Sequence, residues 1–236
     1  MDMARITLAT PLRLLALLTL AIAGIGFTAL ASGLNAQDTT SADRSPALTH
    51  VHHVSVAFRG TPDGQGLLAT AVAEAEIAAQ HAALALRAPE DLEAMQRHAR
   101  HVLHALDPSQ TEGGPGLGYG AIKGAERTAH YIALAARADG ATPPIETHAE
   151  HIESSARNAV AHGTAALKLV AETLEAEEAA VAAALRGEAA DLLTAMVEGI
   201  DADGDGRIGW QEGEGGLAQS STHLGLLRRA AGLEGS

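Results

Sequence analysis

Residues 80–88 read QHAALALRA, and residues 129–138 read AHYIALAARA. Each stretch is followed by a second segment with two histidines three residues apart, RHARHV at 97–102 and THAEHI at 147–152. The leading histidine precedes the next two by 17 and 20 residues in one copy and by 18 and 21 residues in the other. This agreement indicates a duplicated unit, and the alternative is chance similarity between short Ala-rich segments. The Ala-rich composition of both copies indicates that the unit is a helical hairpin.

Working outward from these segments, helical sequence continues through most of residues 65–186, with Gly and Pro marking the boundaries. Two hairpins that pack together predict an all-α fold, an antiparallel four-helix bundle, followed by one more helix and a loop. Aromatic residues make up only 2% of the chain, so the core must be built from Ala, Leu, Ile and Val. The predicted helices cover residues 67–88, 89–106, 121–138, 145–185 and 188–199, with a short last helix over 222–231.

The composition excludes several functional classes. The chain has 16 Lys and Arg against 29 Asp and Glu, a formal net charge of −13, and this argues against nucleic-acid binding. It has no Cys, which excludes disulfides, thiol catalysis and covalent attachment of haem through CxxCH. No phosphate loop, dinucleotide fingerprint or serine-nucleophile motif is present, so no motif indicates an enzyme.

The N-terminal residues carry the pattern of an export signal. Arg5 and Arg13 precede an uncharged apolar run over residues 14–31, which ends in the small-x-small triplet Ala-Leu-Ala. We therefore predict that residues 1–31 form a signal peptide, with an uncleaved N-terminal anchor as the alternative because the run is long. Either one exports the chain to the periplasm, the cell surface or the medium, and we expect membrane contact only through an uncleaved segment.

Residues 201–212 read DADGDGRIGWQE and place four carboxylates within one short segment. Ca²⁺ takes six to eight oxygen ligands, which a twelve-residue loop can supply when alternate side chains point inward and a Gly permits a sharp turn. Gly206 stands at that turn, and Gly209 leaves its position to a water molecule. The predicted ligands are the side chains of Asp201, Asp203, Asp205 and Glu212 and the backbone carbonyl of Arg207.

This segment resembles the EF-hand calcium loop at every ligand position. The resemblance covers the loop and the helix that enters it, and it implies a calcium-binding segment over residues 187–236. The sequence Gly-Glu-Gly-Gly at 213–216 is a poor start for an exiting helix, and no second loop is present to form the usual pair. The resemblance therefore implies a weak, structural Ca²⁺ site, with a Kd on the order of 10⁻⁴–10⁻³ M, and not an opening switch.

Histidine is the most unusual feature of the composition, with twelve residues against two Tyr, two Phe and one Trp. Imidazole is a good ligand for Zn, Cu, Fe and Ni, so the repeated histidines indicate a transition-metal or haem site inside the bundle. The alternative is that they are polar positions in helix interfaces, hydrogen-bonded to neighbouring groups. The candidate ligands are His81, His98, His101, His130, His148 and His151.

Residues 32–64 are rich in Ser, Thr, Asp, Pro and Gly, and we predict a linker or loosely docked arm with one strand-like run over residues 51–58. The three histidines of this arm, His50, His52 and His53, receive no predicted role. The expected function is that of an exported, non-enzymatic calcium-binding protein. The alternatives are a metal or haem carrier, sensor or redox protein, and a structural or interaction module stapled by Ca²⁺; no protein partner is indicated.

Overall fold

The computed structural model describes residues 44–233 of the 236-residue chain. The predicted signal peptide or anchor over residues 1–31 and the beginning of the predicted arm lie outside the described residues. No helix within the described part of the chain combines the length and the apolar character needed to cross a membrane.

Residues 44–233 are helical and contain no β-strand, which confirms the all-α prediction. Two short 3₁₀ turns, Pro62–Gly64 and Pro108–Gln110, lie in the connections. The α-helices of the described chain are α1 (Pro46–Ser55), α2 (Leu67–Ala85), α3 (Leu92–Leu106), α4 (Ala121–Arg137), α5 (Pro143–Glu175), α6 (Ala179–Glu198) and α7 (Leu217–Ala230).

Helices α2, α3 and α4 lie close to their predicted bounds, but the predicted long helix over residues 145–185 is wrong at its C-terminal end. Helix α5 stops at Glu175, because Ala176 has an extended backbone with φ −68° and ψ 132°. The Thr173 hydroxyl donates to the carbonyl of Leu169, a back-bond that weakens a helix, and four glutamates between residues 172 and 178 repel one another. Helix α6 then continues through Gly187 without a break.

The predicted arm contains a core helix instead of a strand. The Ser45 side chain caps α1 by accepting the Leu48 N–H at 3.3 Å, and Pro46 suits the first helical turn. Ala47, Val51 and Val54 are fully buried, and their spacing of four and three residues is that of one helix face. Helix α1 packs mainly on α4, so this part of residues 32–64 belongs to the fold and not to a linker.

The core draws residues from all the helices named above and is built largely from alanine. Helix α5 packs against α3, α4, α6 and α7, and α2 packs against α3, α4 and α6. Small residues permit these close approaches: a Cβ on Gly163 of α5 would lie 2.9 Å from Sδ of Met196 in α6. The described core is therefore larger than the four helices of the predicted bundle.

A buried carboxylate ties α2 to the connection between α3 and α4. Glu74 of α2 is fully buried, and its carboxylate accepts backbone N–H groups from Leu117 at 3.0 Å, Tyr119 at 2.8 Å and Gly120 at 3.0 Å. Each of these is a charge-assisted hydrogen bond inside the protein. The Gly-rich connection is thus held in place at the start of α4.

Candidate metal centres

Three histidines meet where α2 packs against α3, and we call them triad I: His81 of α2 with His98 and His101 of α3. The Nδ1 atom of His81 lies 3.1 Å from that of His98 and 3.3 Å from that of His101. His98 and His101 are three residues apart on one helix, so both rings project from the same face. All three side chains are partly buried.

A second group, triad II, has the same plan at the contact of α5 and α7. It consists of His148 and His151 of α5 with His223 of α7. The Nδ1 atom of His223 lies 3.3 Å from that of His148 and 3.3 Å from that of His151. Each triad therefore combines a histidine pair, three residues apart on one helix, with a partner histidine from another helix.

The structure separates the six predicted ligands and leaves His130 out of both triads. Helix α4 buries Ala129, Ile132 and Ala133 in the core, so residue 130 faces outward and is exposed. His130 instead lines a surface groove that also includes Glu126. The sequence predicted one site with candidate ligands from all four helices of the bundle. The structure instead forms two separate triads.

His223 was not among the predicted ligands, although the sequence carries a signal for it. Residues 223–230 read HLGLLRRA and residues 81–88 read HAALALRA. The two stretches share the His, the Leu three residues later and the Arg-Ala at the end. This similarity relates the partner histidine of triad II to that of triad I.

Burial favours the neutral, metal-binding form of five imidazoles in the two triads. Desolvation is the main cause that lowers the pKa of these five from the ordinary value of 6.5, and neighbouring histidines or arginines add to the effect. A lone pair on each ring is then available at neutral pH. The histidines with a lowered pKa in the two triads are His81, His98, His101, His151 and His223.

The charges around the two triads differ. Arg186 of α6 is fully buried and donates from Nη2 to the carbonyl of His81 at 3.3 Å, and desolvation lowers its pKa to about 10. Arg97 and Arg100 also lie near triad I and lower the pKa of His101. Near triad II, by contrast, the negative charge of Glu150 partly opposes the desolvation that lowers the pKa of His151. Triad II is therefore the more favourable surrounding for a cation.

The aspartate loop brings three of its predicted ligands together. Side-chain oxygens of Asp201, Asp203 and Asp205 lie within 4.8 Å of one another. The Asp201 carboxylate accepts the N–H of Gly204 at 2.8 Å and of Gly206 at 2.9 Å, which folds the loop around the carboxylates. Gly206 has φ 86°, as expected for the residue at the sharp turn.

The second half of the loop departs from the expected pattern. Glu212 is exposed, does not join the three aspartates and lines a groove beside Glu150 and Glu153. Ile208, the apolar residue between Arg207 and Gly209, remains 39% exposed. The chain then makes a turn in which buried Glu214 accepts the N–H of Gly209 at 2.8 Å, and the next helix begins only at residue 217.

The aspartate loop is attached directly to triad II. The Trp210 indole stacks on the His151 ring, with centroids 3.9 Å apart and planes at 19°. Asn158 of α5 donates to the carbonyl of Gln211 at 2.8 Å and accepts the N–H of Gly213 at 3.0 Å. These contacts join the loop to the helix that carries two of the three triad II ligands.

Comparison of the chain with protein-family models, with curated proteins and with solved structures finds no match. The resemblance of residues 201–212 to the EF-hand loop therefore rests on the ligand pattern of the sequence.

Proposed function

We propose that this protein binds transition-metal ions at triad I and triad II, one ion at each. The observation that carries this proposal is the convergence of three Nδ1 atoms in each triad, with separations of 3.1 to 3.3 Å to the partner histidine. In a tetrahedral site with Zn–N bonds of about 2.0–2.1 Å, ligand nitrogens lie about 3.3–3.4 Å apart. The same arrangement occurs twice, on different helices.

Hydrogen bonding alone accounts for the triads less well. A neutral imidazole nitrogen either donates or accepts. Hydrogen bonds would therefore need the one partner nitrogen either to accept from both histidines of the pair or to share one hydrogen between them, and this in both triads. A metal ion instead accepts a lone pair from all three nitrogens. The desolvated, neutral rings supply those lone pairs.

Zn²⁺ is the ion we propose first. Three imidazoles on one side leave the fourth tetrahedral position open to a water molecule or another exchangeable ligand. Axial haem ligation is less compatible, because two nitrogens on opposite sides of an iron lie about 4 Å apart with a macrocycle between them. Nitrogens 3.1 Å apart leave no space for that macrocycle.

We also propose that the aspartate loop binds Ca²⁺ through Asp201, Asp203, Asp205 and the carbonyl of Arg207. The convergence of the three carboxylates and the EF-hand pattern support this second ion. Glu212 would complete the shell only after a rotation toward the loop. Together with the predicted export signal, these sites support an extracytoplasmic metal-binding protein, a carrier or buffer, and not an enzyme. The alternative is an interaction module that Ca²⁺ and Zn²⁺ staple together.

We further infer that the α2–α3 and α4–α5 hairpins arose by duplication within a four-helix bundle. The matched histidine segments at 80–102 and 129–152 support this inference. The second copy differs from the first in its partner histidine, which is supplied by α7.

The test is metal stoichiometry on mature protein without a His tag, stripped with chelator and dialysed. Zn²⁺ is titrated by calorimetry, and Co²⁺ is titrated optically because its tetrahedral complexes absorb visible light strongly. We expect two ions per chain, and one ion in each of His101→Ala and His151→Ala. His52→Ala, which lies in neither triad, is the control and should keep two. Absence of binding, or two ions in both triad variants, would contradict the proposal.

A further inference from the structure

We propose a third metal centre, formed by His50 and His53 of α1 and the phenol of Tyr131 in α4, which suits a ferric ion. The histidines lie three residues apart on one helix, as do the histidine pairs of the two triads. Tyr131 takes the place of the partner histidine. This centre lies outside both triads and the aspartate loop, and we call it the His–Tyr centre.

The ring geometry of the His–Tyr centre follows that of the triads. The first histidine of each pair and its partner ring have centroids 5.3 Å apart at 33° in triad I, 5.5 Å at 36° in triad II and 5.8 Å at 43° here. For the second histidine the values are 4.6 Å at 78°, 4.5 Å at 74° and 5.3 Å at 86°. The ring centroids of the two histidines in a pair lie 5.7 Å apart in triad I, 6.1 Å apart in triad II and 6.0 Å apart in the His–Tyr centre.

The sequence around Tyr131 supports the same equivalence. Residues 131–138 read YIALAARA, and they share Leu at the fourth position and Arg-Ala at the end with both partner-histidine stretches, 81–88 and 223–230. Aligned in this way, Tyr131 corresponds to His81 and His223, and His130 falls one residue out of register. The three histidine pairs also share a Val or Ile directly after the second histidine.

The two histidines of the centre hold buried nitrogens with no partner. The Nδ1 atoms of His50 and His53 are buried, and neither makes a hydrogen bond. A buried polar atom without a partner is destabilising, because it gives up its hydrogen bonds to water and gains none in the protein. Aromatic packing against Phe58 and Tyr131 accounts for the ring contacts but leaves both nitrogens unsatisfied. A bound metal ion would satisfy both of them.

The donor set favours a harder ion than the one proposed for the triads. A phenol that binds a metal ion loses its proton to solvent and becomes an anionic oxygen ligand. Oxygen anions prefer harder, more highly charged ions, whereas three neutral imidazoles suit Zn²⁺ or Cu²⁺. Fe³⁺ therefore fits two imidazoles and one phenolate, and the phenolate offsets one of its three positive charges.

Phenolate bound to ferric ion gives a visible charge-transfer band, which provides the test. Chelator-stripped protein is titrated with ferric nitrilotriacetate, and we expect a coloured complex with one Fe³⁺ per chain. Tyr131→Phe should lose the band, whereas Tyr119→Phe, at the only other tyrosine, should keep it. No band in the parent protein, or a band of full strength in Tyr131→Phe, would overturn the proposal.

A gain-of-function variant tests the equivalence with the triads. Tyr131→His should raise the Co²⁺ stoichiometry by one ion over the parent protein, and an unchanged stoichiometry would contradict the alignment. The ferric band does not depend on the triads, because neither contains a tyrosine. A coloured ferric complex without Zn²⁺ binding would thus disprove the function proposed for the triads while supporting the His–Tyr centre. Zn²⁺ binding without a coloured ferric complex would support the triads and disprove the His–Tyr centre.

Discussion

At the scale of single residues, the structure and the repeat indicate different partners for the pair His148 and His151. The structure places His223 beside the pair, whereas the repeat predicted His130. His223→Ala should remove one of the two Zn²⁺ ions, because it deletes the partner histidine of triad II. His130→Ala should leave both ions bound, since this side chain is exposed on α4. Calorimetric titration of the two variants is the measurement. Loss of an ion from His130→Ala would restore the pairing that the repeat suggested.

Glu74 offers a second prediction at this scale, on stability. Glu74→Gln keeps the shape of the side chain but replaces a carboxylate that accepts three backbone N–H groups by an amide with one acceptor oxygen. We expect a loss of about 2–3 kcal/mol in the free energy of unfolding, measured by urea denaturation. Glu76→Gln, at an exposed position of the same helix, is the control and should change it by about 0.5 kcal/mol or less. Equal effects of the two changes would refute a special role for Glu74.

Residue chemistry explains which ligands could be predicted from the sequence. Both histidine pairs are recognisable because a spacing of three residues places two side chains on one helix face in any surrounding. The partner is different, since it depends on which helix packs against the pair. His223 lies 72 residues after His151 in the chain, and no local pattern determines that contact. The orphaned nitrogens of His50 and His53 are visible only once α1 is packed.

At the scale of elements, the aspartate loop and α5 are joined by Trp210, the only tryptophan of the chain. Ca²⁺ should order the loop, fix the indole on His151 and hold the start of α7, and so reduce the conformational freedom lost when triad II binds its ion. We expect Ca²⁺ to tighten metal binding at triad II by about fivefold, the low end of common coupling energies. Quenching of the Trp210 fluorescence by Cu²⁺, with and without Ca²⁺, is the measurement.

Two variants make this coupling specific. Asp203→Asn combined with Asp205→Asn should remove the effect of Ca²⁺ without removing the quenching itself. His101→Ala should leave the effect intact, because triad I lies on α2 and α3, whereas the loop contacts α5. A Cu²⁺ affinity that is the same at all Ca²⁺ concentrations would show that loop and triad are independent.

Most elements were predictable, and the exceptions have local causes. Helices α2, α3 and α4 follow long Ala-rich segments between Gly and Pro. Helix α1 was missed because it spans only ten residues and because Val54, Val56 and Phe58 alternate with other residues, as in a strand. Tertiary burial of Val51 and Val54 decides in favour of the helix. The break after Glu175 was missed because alanine continues on both sides of it.

For the whole molecule, the desolvated histidines predict how stability depends on pH. Burial lowers the pKa of nine histidines from 6.5, so below that pH the unfolded chain binds more protons than the folded chain. The stability of the metal-free protein is then highest above about pH 6.5 and falls as the pH decreases toward the lowered pKa values. Urea midpoints between about pH 8 and about pH 5.5 test this.

The same measurement on a variant with His81→Gln and His223→Gln should show a smaller decrease, because two of the responsible rings are gone. A midpoint that stays constant or rises toward about pH 5.5 would contradict the prediction. The carboxylates do not obscure the result, since their ordinary pKa values near 4 lie below this range.

The architecture of the whole molecule was the least predictable level. A four-helix arrangement follows from two matched hairpins, but α1, α6 and α7 also enter the core. Their contribution depends on contacts between residues far apart in the chain, such as α1 with α4 and α7 with α5. The sequence does not show which helices contact each other, because the buried faces consist largely of alanine and resemble one another.

The position of His223 on the last described helix also sets an order of assembly during synthesis. A ribosome completes the ligands of triad I when it has added residue 101, but it must add more than a hundred further residues before triad II has its third ligand. A nascent chain can therefore capture its first ion while α7 does not yet exist. Occupancy of triad II, in contrast, would mark a chain that has been translated beyond residue 223 and has folded α7 back onto α5.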